Sequence, residues 1–594
     1  MRRPLVRGGR LVAVAAVGVL AALALTGQPA SASGGRTAGA GADRPGPVDS
    51  HAGAKTRSAQ SRALAAIRQH HNPLLKEVLS EGDDDNADAP TLSALCQDFV
   101  NKPNPYHDPA PNVDMIHGDT IVPVGSQQGC SAAQNETTIA SNPSNPRNLV
   151  AGANDYRVFN TREQRNDASG WAYTTFDGGR TWANVVAPHL TFQTGAKAPL
   201  SFMDSAGDPA IAFGPHNTVY YANLVFSRAT VPPTQQNASG LTVSVSHDGG
   251  LHFDDPVIVQ LDGVNPDGTP TPTSFFNDKE WISADPTNGT VYVTWTRFTF
   301  DPAGNYIESP IMVKKSTNLG RTWSAATRVA PSLNGFNGGI TPFDQGSNPR
   351  VGRDGTLYIA YEASVCFTVA CTSTGDHDAV VLATSRNGGQ TFTDQEVSAD
   401  FDFPATLTGE NFRLNSFPQM VYDRFTDQLW ITWADDRNGQ YNAAGQSVKT
   451  NGDVFVVGSR RGNSGFSQPL KVGTPSDEWF PAIVDVAGRV GVTYYTRDFD
   501  PTGIGVDYAF STGWGTGING APMHRITIES ENPQVQFVSQ NPDGTVVQGT
   551  FIGDYSAAAM GFDFRLHPCW TDFRGNPGTT KPNQDAYTQS IFVL

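Results

Sequence analysis

Seven segments of the chain share one pattern, a short polar turn followed by a mostly apolar stretch that often ends in aromatic residues. Runs of this length, bounded by Gly, Pro, Asn and Asp, are typical of strands in β-hairpins. The segments read NLVAGAN, TVYYANL, TVYVTWT, TLYIAYE, QLWITWA, RVGVTYY and RLHPCWT. Their third residues are Val150, Tyr220, Tyr292, Tyr358, Trp430, Gly491 and His567. Because neighbouring copies lie 61 to 76 residues apart, the pattern predicts one β-structured unit repeated seven times.

A second element follows each of the first four hairpins. Its copies read TTFDGGRTW, SVSHDGGLHF, KKSTNLGRTW and ATSRNGGQTF, and their shared glycines are 71, 70 and 69 residues apart. These glycines are Gly179, Gly250, Gly320 and Gly389. Asp or Asn accepts hydrogen bonds from its own loop, Gly supplies a positive φ, and Trp or Phe opens the next strand as a buried anchor. The element therefore predicts a structural turn.

The pattern S/T-x-D/N-x-G-x-T-W/F resembles the Asp-box (BNR repeat) of the sialidase-like β-propellers, here of the secreted bacterial type. The resemblance implies an all-β fold of four-stranded blades, in which the turn joins the third and fourth strands on the face opposite the active site. We expect a single propeller of seven blades, with six, the usual sialidase count, as the alternative. The seventh unit ends at Leu594 with no room for an outer strand, so we expect a strand from residues 105–130 to complete it.

The N-terminal region differs from the repeats. Residues 1–32 combine a basic start, an apolar run of 15 residues and an Ala-Ser-Ala site, which is typical of a secretory signal peptide. Residues 33–95 are expected to be a disordered linker, in which the stretch AKTRSAQSRALAAIRQHH is compatible with a short helix. Residues 96–594 are expected to form the propeller. The sequence thus predicts a secreted, extracellular protein.

The charge and the cysteine content of the chain limit the binding partners, metal sites and disulfide bonds that we expect. The net charge is −16 and no basic stripe occurs, which argues against nucleic acid or membranes as partners. We expect a monomer without a cofactor, and no metal site is predicted because zinc-binding and calcium-loop spacings are missing from the sequence. Of five cysteines, Cys366 with Cys371 and Cys96 with Cys130 are candidate disulfides. Cys569 is then left as a buried free thiol.

Arginines and carboxylates recur where loops of a propeller meet on one face. The arginines are Arg157, Arg228, Arg297, Arg437, Arg497 and Arg574. The carboxylates are Asp155, Asp204, Asp208, Asp278, Glu280, Glu410, Asp435, Glu478, Asp554 and Asp572. Their recurrence in nearly every unit favours ion pairs that tie the blades together. Alternatively, a subset converges on an axial pocket, where arginines bind a carboxylate and acids serve glycoside hydrolysis.

The sialidase resemblance assigns roles to some of these positions. Such enzymes use a Tyr nucleophile activated by a Glu, an Asp acid/base, and three arginines on the sugar carboxylate. GDYSAAAM places Tyr555 where the family has its nucleophile, with Glu478 or Glu410 as its base and Asp204 as the acid. Substrate binding falls to Arg297, Arg437, Arg497 and Arg574. The family's Arg-Ile-Pro stretch is replaced by NETTIASNPSNPR.

Two functions follow from the sequence. The first is a secreted, retaining glycoside hydrolase of the exo-α-sialidase-like type, acting on a carbohydrate or glycoconjugate. The alternative is a non-catalytic propeller that binds glycan or protein at its loop-rich face. Arginines gathered beside Tyr555 would favour the enzyme, whereas a rim of Asp–Arg pairs would favour the binding protein.

Overall fold

The computed structural model describes residues 111–116 and 133–594, apart from short internal gaps. These gaps are residues 163–164, 232–235, 305, 330–339, 368–376, 402–406, 408–411, 413, 438–439, 442–446, 450–451, 534–536, 541–545, 550–551 and 575–583. The signal peptide and linker predicted from the sequence, Glu410, and the cysteines Cys96, Cys130 and Cys371 lie outside the described residues.

Seven antiparallel sheets of four strands form a seven-bladed β-propeller, as the repeats predict. Blade 1 contains Gln134–Asn142, Asn145–Asn160, Arg165–Thr175 and Ala183–Val186. Blade 2 contains Ser205–Phe213, Val219–Val231, Gln236–Ser246 and Val257–Asp262. Blade 3 contains Phe275–Ala284, Val291–Phe300, Ile311–Ser316 and Thr327–Arg328. Blade 4 contains Ile340–Val351, Leu357–Cys366, His377–Ser385 and Thr393–Phe401. Blade 5 contains Gln419–Asp423, Gln428–Asp435, Asp453–Gly458 and Leu470–Val472. Blade 6 contains Glu478–Val486, Arg489–Thr496, Asp507–Trp514 and His524–Arg525. Blade 7 contains Ala557–Met560, Arg565–Asp572, Asp585–Thr588 and Val113–Asp114.

Short strands, hairpins and 3₁₀ turns accompany the seven blades. Tyr306–Glu308 and Ile591–Phe592 add to the second strands of blades 3 and 7. Two hairpins, Gln440–Tyr441 with Ser447–Lys449 and Phe537–Gln540 with Val546–Gly549, form separate sheets. The helical segments within the described residues are three short 3₁₀ turns, Phe192–Thr194, Leu200–Phe202 and Gly515–Ile518. Among the described residues, no helix has the length and apolar character needed to cross a membrane.

The last blade is closed by the N-terminal part of the chain. Val113 pairs with Thr588 and Asp114 with Tyr587 in an antiparallel ladder. Met115, which follows the strand, is fully buried and donates its backbone N–H to Ala586 O at 3.0 Å. The predicted closure by a strand from residues 105–130 is therefore confirmed.

The four recurring turns, called here the repeat turns, join the third and fourth strands of blades 1 to 4. In the first, Asp177 accepts hydrogen bonds from the backbone N–H groups of Arg180 and Thr181 at 2.9 and 3.1 Å. Gly179 has a φ of 87°, which a residue with a Cβ adopts only with strain. Trp182 is buried and donates its indole N–H to Gly179 O at 3.2 Å. Local hydrogen bonding accounts for the repeated residues.

The core lies between neighbouring blades. In one cluster, Tyr220 and Phe226 of blade 2 pack with Trp295 and Phe276 of blade 3, and the rings of Phe226 and Phe276 meet edge to face at 6.4 Å. Similar clusters join the remaining blades around the circle. Because burial of each large apolar side chain contributes about 1.5–3 kcal/mol, every blade depends on its neighbours.

The two described cysteines agree with the prediction. Cys569 is a buried free thiol, and burial raises its pKa to about 12. Cys366 is disulfide-bonded.

Candidate functional site

The innermost strands of five blades contain a β-bulge. In five blades the register to the second strand shifts across two residues, at Glu136–Thr137, Asp208–Pro209, Lys279–Glu280, Gly346–Ser347 and Phe480–Pro481. The first residue of each pair has a positive φ, between 46° and 64°. Non-glycine residues rarely adopt this conformation, and β-bulges re-aim side chains next to functional sites. The bulges therefore mark a place where the fold directs side chains toward the axis.

In blades 5 and 7, the residue pairs that correspond to these bulges come directly before the innermost strand. They are Phe417–Pro418 and Tyr555–Ser556. Seven equivalent positions thus surround the axis, and we call them the axial ring. The axial ring consists of Glu136, Asp208, Lys279, Gly346, Phe417, Phe480 and Tyr555. Its polar members come from blades 1, 2, 3 and 7, so one side of the ring is charged and the other is apolar.

Lys279 is the centre of the charged side. Its ammonium lies 2.9 Å from Glu136 Oε1, 3.3 Å from Asp208 Oδ1 and 2.8 Å from Asp554 Oδ2. All four side chains are at most 4% exposed. One cation from blade 3 therefore holds carboxylates from blades 1, 2 and 7 together.

The carboxyl groups around Lys279 outnumber it, and burial changes their protonation. Burial raises the pKa of Asp208 to about 6, although Lys279 opposes the shift. Burial, with help from nearby carboxylates, raises the pKa of Glu136 and of Glu280 well above the usual range. Burial lowers the tendency of Lys279 to be charged, but Asp208, Asp554 and Glu136 together raise its pKa well above the ordinary value. The ring thus combines a charged ammonium with carboxyls able to carry protons near neutral pH.

Tyr555 lies within this charged side. Its side chain is 7% exposed, and its hydroxyl has no hydrogen-bond partner among the described residues. Burial, followed by the charges of Asp208, Glu136, Glu280 and Asp554, raises its pKa well above 10. At neutral pH the phenol is protonated, so it becomes a nucleophile only if a neighbouring base accepts its proton.

Glu280 and Trp281 complete the surroundings of Tyr555. Both carboxylate oxygens of Glu280 are buried without a hydrogen-bond partner in the described part of the chain. The ring of Trp281 meets that of Tyr555 edge to face at 5.4 Å. Buried polar atoms usually have partners, so the unpartnered Tyr555 hydroxyl and the unpartnered Glu280 carboxyl beside the ring are exceptional groups.

The other predicted catalytic residues occupy different surroundings. Glu478 accepts hydrogen bonds at Oε1 from the N–H and the hydroxyl of Thr474, at 2.8 and 3.0 Å, and burial raises its pKa to about 9. Asp204 accepts hydrogen bonds from Arg162 and from the backbone N–H of Arg228, at 2.9 and 2.7 Å. The carboxylates acting on the Tyr555 pKa are those of the axial ring region. The roles assigned to Glu478, Glu410 and Asp204 stay predictions.

The predicted substrate-binding arginines are each paired with an aspartate. Arg297 lies 3.1 Å from Asp262 and Arg497 lies 3.3 Å from Asp477. Arg437 and Arg574 pair with Asp435 and Asp572, each at 2.5 Å. Arg574 also lies 3.5 Å from Glu531. These contacts match the structural interpretation of the recurring arginines.

Two of these pairs, and a third in blade 1, follow one local design, Asp-x-Arg in or directly after the second strand. The design occurs at Asp155–Arg157, Asp435–Arg437 and Asp572–Arg574. In each, the arginine Nε and Nη2 both donate to the aspartate. An aromatic side chain of the same blade, Tyr173, Trp433 or Trp570, donates to the same carboxylate. Paired donors of this kind fix the loop that follows the strand.

Sequence reasoning missed Glu136 and Lys279. Both stand in polar stretches that open an innermost strand, QNETT and FFNDKEW. The usable signal was charged residues where a buried central strand begins.

A cavity of about 300 Å³ continues along the axis beyond the ring. It is lined by residues of the innermost strands of all seven blades, including Thr138, Trp281, Arg350, Gln419, Asp485 and Ala558. It extends from Trp281 to the turns at Pro143 and Pro286. These turns lie on the face of the repeat turns, since Asn148 of the first hairpin donates to Gly249 O of the second repeat turn at 3.1 Å.

The fold therefore defines the chain as a seven-bladed β-propeller with a charged axial ring. The chain matches no protein-family model, and no curated protein matches it in sequence.

Similar solved structures include sialidases and a further carbohydrate-active propeller enzyme. The Hadza microbial sialidase Hz136 is 13% identical over 72% of this chain and 75% of that chain, with a TM-score of 0.37. A polysaccharide lyase, an ulvan lyase, is 9% identical over 77% of this chain and 93% of that chain, with a TM-score of 0.41. Trypanosoma rangeli sialidase in complex with sialic acid is 12% identical over 65% of this chain and 54% of that chain, with a TM-score of 0.35.

Proposed function

We propose that the protein hydrolyses a glycosidic bond at the charged side of the axial ring, with Tyr555 as the nucleophile. The observation that carries the proposal is the buried, unpartnered Tyr555 hydroxyl among carboxyls with raised pKa values. Strongly shifted groups gathered in one place are characteristic of sites that move protons.

The chemistry follows from the protonation states. The Tyr555 oxygen attacks the anomeric carbon while its proton passes to an ionised carboxylate, and Asp208 is our candidate because its pKa of about 6 leaves it mostly ionised at neutral pH. A protonated carboxyl gives its proton to the leaving oxygen, and Glu280 suits this step because burial raises its pKa well above the usual range and both of its oxygens are unpartnered among the described residues. Water then cleaves the glycosyl–tyrosine bond, which retains the anomeric configuration.

A sialidase-like activity requires that the site bind a sugar that carries a carboxylate. Arg297, Arg437, Arg497 and Arg574 would have to exchange their aspartates for a sugar carboxylate. Lys279 already contacts three carboxylates. These pairs favour a neutral sugar over a sialoside, because an anionic sugar meets uncompensated acid in the ring.

A second function is supported by the same pairs. If the Asp–Arg contacts serve only to fix the loops, the rim is a rigid surface suited to binding glycan or protein without chemistry. In this alternative the ring charges are structural, and Tyr555 takes part in no reaction.

The test is a panel of fluorogenic glycosides, a sialoside and neutral hexosides and pentosides, given to the full chain. We expect wild type to turn over one of them and Tyr555→Phe to lose activity at an unchanged melting temperature. Tyr220→Phe is the matched control, since Tyr220 is also buried with an unpartnered hydroxyl but lies in the core between blades. Folded wild type that cleaves none of the panel would favour the binding protein, and an active Tyr555→Phe would remove the nucleophile assignment.

A further inference from the structure

The axial cavity on the repeat-turn face contains an arginine unlike those of the loop-rich face. Arg350, on the innermost strand of blade 4, lines the cavity. Its Nη1 donates to Pro349 O at 2.7 Å. Within the described part of the chain, no carboxylate lies within 4 Å of its guanidinium, whereas the predicted rim arginines each have an aspartate.

The uncompensated charge has a measurable consequence. Burial alone lowers the pKa of Arg350 to about 10. Arg350 is half-buried, and a guanidinium that has lost part of its hydration without gaining an opposite charge carries a free-energy cost, which an added anion relieves. The geometry of guanidinium suits a carboxylate, which it binds through two parallel hydrogen bonds.

The remaining lining gives the character of a ligand. Most of the residues that line it have apolar side chains, Ile211, Phe213, Val421 and Met560 among them, and the lining also includes Trp281, which lies next to the ring. A volume of about 300 Å³ is at the small end of the range for ligand pockets. The cavity thus has room for one small molecule with an apolar body.

One acidic group also faces the cavity. Asp485 lines it and accepts a hydrogen bond from Gly488 N at 2.9 Å, and burial raises its pKa to about 7. A carboxyl that is partly protonated at neutral pH repels a monoanion less than an ordinary aspartate does. It still disfavours a ligand with two negative charges.

We propose that this cavity binds a small organic acid, whose carboxylate pairs with Arg350 and whose apolar body packs toward Trp281. The site lies on the opposite side of the axial ring from the loop-rich rim, so it is separate from the proposed hydrolysis. A ligand there stabilises the channel that all seven innermost strands share.

The experiment measures binding of benzoate to the full chain by saturation-transfer NMR and by thermal shift. Benzamide serves as the uncharged isostere and sulfate as the inorganic anion. We expect benzoate to bind and to raise the melting temperature, with benzamide and sulfate at least tenfold weaker. Arg350→Met should weaken benzoate binding at least tenfold, and Arg350→Lys should weaken it less. Equal binding of benzamide or sulfate, or no binding of benzoate by wild type, would overturn the proposal.

Two control variants and a second cavity variant test whether benzoate binds at Arg350. Arg565→Met changes an exposed arginine that contacts Ser590 and Phe592, and Tyr555→Phe changes the proposed nucleophile. Both should bind benzoate like wild type, so failure of the hydrolysis proposal leaves this result unaffected. If Arg350→Met does not fold, Ala558→Leu takes its place, because a larger side chain at this lining position fills the cavity. Unchanged benzoate binding in either cavity variant would contradict the assignment.

Discussion

Lys279 of blade 3 and Asp554, which precedes the innermost strand of blade 7, form an ion pair of 2.8 Å at the axis of the propeller. The two residues are 275 positions apart in the chain, yet both side chains are at most 4% exposed. The contact ties together blades that are not neighbours in the circle. It makes the centre of the molecule an electrostatic unit, and the first prediction follows from it.

Lys279→Met should destabilise the protein by about 3–5 kcal/mol at pH 7.5, because three buried acids lose the ammonium that contacts them. The loss should shrink as the pH falls below about 6, where Asp208 becomes protonated. Urea denaturation at both pH values measures this. Lys315→Met, which changes a lysine placed over the Tyr292 ring, is the control, and a pH-independent loss for Lys279→Met would contradict the prediction.

Glu478→Gln should stabilise the protein at alkaline pH. Burial raises the pKa of Glu478 from 4.5 to about 9, so the folded state keeps the proton while the unfolded state releases it above pH 4.5. Wild type therefore loses stability as the pH rises from about 4.5 to about 9, and the glutamine variant does not. At pH 8 the variant should be more stable by a few kcal/mol, since each pKa unit corresponds to about 1.4 kcal/mol. Equal stability curves between pH 4.5 and 9 would refute the assignment of a buried neutral acid.

Asp177→Ala should cost about 1 kcal/mol, similar to the loss of a capping side chain. The side chain accepts hydrogen bonds from Arg180 N, Thr181 N and the Thr181 hydroxyl, all within one repeat turn. Turnover or ligand binding at the loop-rich face should be unchanged, as measured beside the melting temperature. Loss of function at an unchanged melting temperature would show that the repeat turn has more than a structural role.

Removal of the closing strand should destabilise the whole propeller. Deletion through residue 110 keeps Val113–Asp114 and the fully buried Met115 and Ile116, and should melt like the parent. Deletion through residue 116 removes them and exposes the edge of Asp585–Thr588. Met115→Ala should cost about 2–5 kcal/mol by leaving a cavity. Differential scanning calorimetry distinguishes the two deletions, and identical melting would disprove the closure's importance.

Arg574→Met should lower stability rather than substrate affinity alone. Arg574 pairs with Asp572 and Glu531, which are both buried, and the loss of one partner from a buried pair costs about 3–5 kcal/mol. A substrate-binding arginine would instead raise KM with the melting temperature intact. Arg162→Met, at a half-exposed arginine of the rim, should change stability by less than about 1 kcal/mol.

The parts of the structure that depend on local sequence could be predicted. The hairpin around Tyr220 and the turn around Gly179 are each formed by residues that are close in sequence. Counting their copies therefore predicted seven blades, and the missing outer strand of the last copy predicted a closing strand from the N-terminal part. The axial ring could not be predicted in the same way, because a bulge at Lys279 depends on how two strands pair. The pairing of Arg497 with Asp477 likewise depends on tertiary placement, since the sequence shows only that arginines and acids recur.

The closing strand also sets the order in which the molecule can be completed. Asp114 pairs with Tyr587, which is synthesised 473 residues later. Blades 1 to 6 consist of strands that are continuous in the chain, and they can form while synthesis proceeds. The seventh blade cannot, so the strand Val113–Asp114 must stay unpaired until Tyr587 and Thr588 have been synthesised. A nascent chain arrested before residue 585 is consequently an open arc with two unsatisfied edges, and edge-to-edge association is the hazard that its maturation has to avoid.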